Sequence, residues 1–364
     1  MQLLDSVQLL GISESLQLSL QDIIHNVEIQ SQYCIKHPDY KPLELPEASV
    51  SRFQKLSSDL QNKYLSQQLR SFLYGIYYNG SLKSVLASDA EISNLAVNQN
   101  LENNTFLGVD LAFYDRLHEN NRGTGYWSYG WRVVKEEIDG ALAVQRDGLT
   151  LYVERDALQI PVSVGDLVGI KMPKNLVQSG FYMAVADAGA SQHHPKPDQT
   201  LVRVYFNLTP DGAVAVMDTL TTQLNAISLP FTFKALYNPS DYQRYDSAVL
   251  YFDKNEYERV HPILEMLYIE HQGHFQEQVP LFTKPIAPGL AIAEEPKHRF
   301  NENESFGTHR CQIVANGLLV AWQQGNNTPE TKMTSILQQF SAFKIQLQRP
   351  YLNADSEDIY TPLR

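Results

Sequence analysis

Lys234 closes the run Phe231-Thr-Phe-Lys234, and the aromatic pair before it predicts a strand with the lysine stem along apolar surface and the amine at the strand end. An amine held among apolar groups and other cations gives up its proton more readily than in water, which makes Lys234 a candidate general base. Upstream, Arg203-Val-Tyr-Phe-Asn207 alternates in character, so Arg203, Tyr205 and Asn207 share one polar face of a predicted strand. Other polar groupings carry less. His193-His194 and His271-Gln-Gly-His274 have no cysteine or carboxylate at zinc spacing, and Cys34 and Cys311 lie far apart, so no metal site and no disulfide scaffold are expected. Gly123, Gly125 and Gly130 interleave with aromatics, but no lysine with Ser/Thr follows at phosphate-loop spacing; a packed turn or peptide-contact surface is expected there.

These residues need a scaffold, and the chain has the material for one. Of 364 residues, 43% are hydrophobic and 10% aromatic, which excludes disorder over most of the length and suggests two domains. Lys plus Arg number 29 against 41 Asp plus Glu, a formal charge of −12 that argues against a nucleic-acid-binding surface and makes any basic pocket stand out. No apolar run reaches the length of a membrane span, and Met1 to Leu20 lacks the basic start and cleavage site of a signal peptide. A soluble, cytoplasmic protein without a membrane partner is the expectation.

Residues 1–104 read as a helical docking or cap domain, with Leu56, Leu60, Tyr64, Leu65 and Leu69 at helical spacing and Pro38, Pro42 and Pro46 as breaks. Asn98 to Asn104 is the expected linker. Beyond it, Trp131–Val134, Leu142–Val144 and Leu149–Val153 alternate as strands around Asp139-Gly140 and Asp147-Gly148, two hairpin dipeptides, so a β-meander over 105–190 is expected. Strands are also expected at Phe181–Val185, Leu201–Asn207, Phe231–Lys234 and Ser247–Phe252. Thr209-Pro210 and Thr328-Pro329 each open a helix, and Tyr257–Glu270 reads as a third helix holding Pro262. The fold class is α+β, with a core over 191–350.

Phe113-Tyr-Asp-Arg-Leu-His118, Gly125-Tyr-Trp-Ser-Tyr-Gly-Trp131, Lys171-Met-Pro-Lys174, Gly180-Phe-Tyr182, Arg203 to Pro210, Lys284-Pro285 and Ser305-Phe-Gly-Thr-His-Arg310 resemble the signature of the HopA-type effector family from about Leu107 to Tyr351. The resemblance implies a phosphothreonine/phosphoserine lyase, with a mostly antiparallel sheet flanked by helices. Such a protein eliminates phosphate from a phosphorylated precursor peptide to leave a dehydroamino acid in lanthipeptide-type biosynthesis, beside a kinase-like partner and without a cofactor.

That elimination needs a base for the α-proton and cations for the departing phosphate. The lyase order of a Lys-x-His strand, a strand ending in Phe-Lys and a strand ending in Leu-Tyr is matched here by Arg203-Val-Tyr205, Phe233-Lys234 and Leu250-Tyr251. By this resemblance Lys234 is the base, Tyr205 stands in the acid position, and Arg203 can grip phosphate through two parallel bonds. Arg244 and Arg310 fall where lyases place phosphate clamps, Lys284 and Lys171 are weaker members of the same pocket, and His309 beside Arg310 is an alternative acid. The rival expectation is a non-catalytic module that binds a phosphorylated or acidic peptide through the same cations.

Overall fold

The computed structural model describes residues 11–87, 108–158, 162–190, 199–302 and 304–364. Ser13 starts the first helix, Glu14–Asn26, by accepting the Leu16 amide, and the helix buries Leu16, Leu20, Ile23 and Ile24 at intervals of three and four. An antiparallel sheet of strands β1 (Glu28–Ser31), β2 (Cys34–His37) and β3 (Tyr40–Glu44) follows, where the periodicity predicts only helix and breaks. Pro42 sits within β3, an edge strand, where a missing N–H can face away from the ladder. Helices Glu47–Phe53 and Ser58–Leu73 come next, and the second runs into a π-helical turn, Tyr74–Tyr78. The expected linker at Asn98–Asn104 lies outside the described residues.

After the helix Leu111–Asn120, strands β4 (Tyr126–Glu136), β5 (Leu142–Arg146), β6 (Leu149–Val153) and β7 (Leu167–Met172) form an antiparallel sheet in the order β6-β5-β4-β7. Asp147 and Gly148 both take positive φ, 51° and 80°, as a two-residue hairpin turn between right-twisted strands requires. This sheet closes a small core of its own around Trp131, Val133, Val144 and Ile170. The meander ends there. Strands β8 (Asn175–Gln178) and β9 (Phe181–Val185) leave it and pair with the larger sheet instead.

That larger sheet adds β10 (Leu201–Phe206), β11 (Thr232–Leu236), β12 (Ala248–Asp253), β13 (Lys284–Ala287) and β14 (Leu290–Glu294), in the order β13-β14-β10-β12-β11-β9-β8 with every pair antiparallel. Thr209 caps the helix Pro210–Ala226 through the Gly212 amide, and Ala213, Val216, Met217, Leu220 and Leu224 form its buried stripe, as the sequence pattern predicts. Helix Tyr257–His271 contains Pro262, and helix Pro329–Ala342 starts at Thr328. Helix Phe306–Gln323, which the periodicity does not reveal, is buried along most of its length. Its Gly307 lies so close to the Tyr78 ring that a Cβ would stand 2.3 Å from it, so only glycine lets helix and π-turn meet.

Leu16, Leu69 and Phe72 belong to the same apolar cluster as Phe181, Phe206 and Phe306. The N-terminal helices therefore build one core with the seven-stranded sheet, and the four-stranded sheet is the part with a separate core.

Candidate functional site

Register decides which side chains meet. Arg203 lies opposite Tyr251 and Tyr251 opposite Thr232, while Tyr205 lies opposite Val249 and Val249 opposite Lys234. Directly paired residues project to the same side of a sheet, so Arg203, Tyr205, Tyr251 and Lys234 share one face. It is a covered face rather than the open polar one that the alternation suggests: Tyr205 is 2% exposed and Asn207 1%. The Tyr205 ring meets Tyr78 of the π-turn and Phe306 of the helix above, with centroids 6.3 and 6.4 Å away.

Lys234 sits in the middle of β11 rather than at a strand end. Its Nζ lies 4.4 Å from the centroid of Phe181 and 5.5 Å from that of Tyr251. Arg203 places its guanidinium 4.9 Å from the same Tyr251 ring, and Arg244 places its own 5.8 Å from the same Phe181 ring. Two aromatic rings thus tie three cations into one row, an arrangement worth more when the groups are desolvated.

The three cations differ in their partners. Arg244 forms a fork on Asp246, with Nε donating at 2.6 Å and Nη2 at 2.9 Å, and Asp246 also accepts from the Tyr74 hydroxyl and the Asn79 amide. Burial works against the Arg244 charge, yet Asp246 holds its pKa above the ordinary value. Burial likewise penalises the Asp246 carboxylate, but Arg244, Lys234 and Asn79 hold it below the usual range. Arg203 donates from Nε to Glu295, which also accepts from Arg299 Nη2 at 2.7 Å. Burial opposes this charge too, and Glu295 more than restores it. The two Nη groups of Arg203 make no hydrogen bond to a described residue, and Lys234 has no hydrogen bond or ion pair among them.

Arg310 adjoins the row from the helix above. It is fully buried, donating from Nε to the Pro350 carbonyl at 2.7 Å, from Nη2 to the Leu352 carbonyl at 3.0 Å and from Nη1 to His309 Nδ1 at 2.6 Å. Burial pulls its pKa down to about 10, against the support of Tyr205, Glu294, Glu295 and Glu304. Burial and then Arg310 push His309 down to about 3, so its imidazole is neutral at pH 7. The Tyr205 hydroxyl is driven up by burial despite Arg203, so it keeps its proton. The rings of Tyr78 and Phe306 close it off from solvent, where the sequence reading expects an acid.

Two expected members lie elsewhere. Lys284, on edge strand β13, is held by Asp358 at 2.8 Å and the Tyr360 carbonyl at 2.6 Å. Lys171, in the four-stranded sheet, donates to the Gly125 carbonyl at 2.7 Å and lies near Trp127. Lys234, Arg203, Arg244, Tyr205 and Arg310 are brought together; Lys284 and Lys171 are not. Sequence reasoning misses Glu295 as the partner of Arg203. The available signal is Glu294-Glu295 closing the apolar run Leu290–Ala293, since a carboxylate attached to a buried strand needs a cation. No group of three or more metal-binding side chains forms among the described residues, and Cys34 and Cys311 are both buried.

All five clustered residues fall inside one stretch of chain with a recognisable pattern. Residues 172–352 match the HopA1 effector protein family. The HopA1-type region thus contains strands β8 to β14 and both helices that follow them. Two solved structures are similar to the chain. One is an effector protein from Pseudomonas syringae pv. tomato strain DC3000, 16% identical, with a TM-score of 0.42 over 85% of this chain and 98% of the other. The second, an effector protein from Pseudomonas syringae pv. syringae strain 61, is 14% identical, with a TM-score of 0.41 over 67% and 81%. No curated protein matches the chain. No helix of the described residues is long and apolar enough to cross a membrane.

Proposed function

We propose that the covered-face cluster eliminates phosphate from phosphothreonyl or phosphoseryl residues of a precursor peptide supplied by a kinase-like partner, in lanthipeptide-type biosynthesis. The observation that carries this reading is Lys234, an amine without hydrogen-bond or ion-pair partner among the described residues, in a row where the neighbouring arginines already hold carboxylates. Lys234 takes the α-proton on its amine nitrogen. The C–H electron pair becomes the new double bond, the β-carbon–oxygen bond breaks, and phosphate leaves with the electron pair of that carbon–oxygen bond. The open Nη groups of Arg203 suit a phosphate fork, while Glu295 keeps the guanidinium oriented from the far side. Arg244, fixed on Asp246, contributes positive field rather than a direct contact.

Incubation with a phosphothreonyl peptide and mass spectrometry tests this: loss of phosphoric acid, abolished in Lys234→Ala with peptide binding kept, is the expected result. A second reading, a non-catalytic phosphopeptide-binding module, has its own support in the burial of Tyr205, which leaves the cluster without an evident acid. Binding without elimination by the unaltered protein selects that reading.

A further inference from the structure

On the other side of His309 and Arg310 lies a cavity of about 440 Å³ that neither the elimination nor the peptide reading uses. Its walls carry Lys297, His298 and Lys344 against Asp355, with Phe343 and Ile345 as apolar surface. A smaller cavity of about 80 Å³ shares Lys344, Asn353 and Asp355 and adds Arg349, so the basic lining continues along the furrow. In a chain of net charge −12, such a concentration of cations is not general solvation.

Two further features point to a ligand. A guanidinium only donates, so the bond from Arg310 Nη1 makes His309 Nδ1 an acceptor and places the ring hydrogen on Nε2. That Nε2–H is buried in a residue 1% exposed; the His298 backbone lies within weak hydrogen-bonding reach, and no partner among the described residues meets it in good geometry. Lys344 and Asp355, both on the cavity wall, hold left-handed φ values of 55° and 58°. Lys344 occupies the position after a helix end, where Ile345 N returns to the Phe340 carbonyl and Lys344 N to that of Ser341, and where glycine is the unstrained choice. A lysine kept there carries backbone strain that glycine would not, and it places an ammonium on the rim.

We infer that this cavity binds a small organic anion, a phosphate or carboxylate head on an apolar body, with the head between Lys344 and Lys297 near His309 and the body along Phe343 and Ile345. The site borders the Lys234 row at Arg310, which lines both, but uses cations outside that row and holds whether or not the row is catalytic.

Lys344→Gly tests it cleanly, because glycine suits the backbone and the variant is expected to melt at the same temperature or higher. Titration calorimetry with phenyl phosphate and with phenylacetate, each against the unaltered protein, Arg203→Ala and Lys344→Gly, separates the two head groups and the two sites. Saturable binding kept in Arg203→Ala and weakened about tenfold in Lys344→Gly is expected, the size of one lost charge-assisted contact. Response to one probe alone identifies the head group. Binding by neither probe, or binding that Lys344→Gly leaves unchanged, overturns the inference.

Discussion

Arg244 and Arg146 both lie over aromatic rings, yet they live in different solvents. In the seven-stranded sheet, Arg244 is 5% exposed and locked onto Asp246. In the four-stranded sheet, Arg146 is 30% exposed, stands 4.6 Å over Trp131, and donates to Ser128 Oγ and the Tyr129 carbonyl. Under a covering helix a cation needs fixed partners, a carboxylate as for Arg244 or backbone carbonyls as for Arg310, because water cannot supply them. At an open sheet the pairing is looser, as between Arg146 and the exposed Asp147 at 3.6 Å. The contrast gives Lys234 its meaning: it is half-buried, in the region where Arg203 and Arg244 bond carboxylates directly, and its contacts are rings, with Asp246 acting on it only through space. Lys171 in the open sheet, bonded to a backbone carbonyl, carries no such implication.

The sharpest way to break this comparison is to remove a cation from each region. Lys234→Ala is expected to lower the elimination rate by at least about a hundredfold, the scale of a lost general base, while Lys171→Ala leaves it unchanged in the same mass-spectrometric assay. Equal losses would dissolve the distinction between the sheets.

Next in size is Asp246→Ala, which strands Arg244 in the interior. A stability loss of about 3–5 kcal/mol by urea unfolding is expected. Because folding lowers the Asp246 pKa, its contribution is complete above the ordinary carboxylate range and disappears as pH falls through the lowered folded value.

An effect of similar total size, but spread over pH, belongs to His309, which binds a proton near 6.5 when unfolded but only near 3 when folded. Between those values the unfolded chain holds the extra proton, so stability falls as pH drops from about 6.5 toward about 3, by up to about 1.4 kcal/mol per pH unit. His309→Gln should flatten that stretch of the stability curve.

The smallest effect is expected in the open sheet. Arg146→Ala should cost about 0.5–1 kcal/mol, the value of an exposed cation–aromatic contact, without changing elimination.

Much of the fold is legible in the order of the amino acids. The Asp147-Gly148 hairpin and the Thr209-Pro210 helix start follow from local backbone chemistry, which needs no distant partner. The N-terminal strands β1 to β3 are hidden, because four- and five-residue strands give too short a pattern to outweigh helical neighbours. Helix Phe306–Gln323 is hidden for the opposite reason: buried nearly all round, it has no polar face to set a period.

The same division runs through the site. Residue type and local alternation determined that Lys234 and Arg203 lie on strands, with Tyr205 on the same face as Arg203, because side-chain direction along a strand depends only on the chain itself. Tertiary structure alone decided that the face is roofed by Tyr78 and Phe306, that Arg203 takes Glu295 some ninety residues away, and that Lys234 has no direct ion pair among the described residues. Burial and pairing are sums over neighbours from every part of the fold, and no stretch of sequence contains those neighbours.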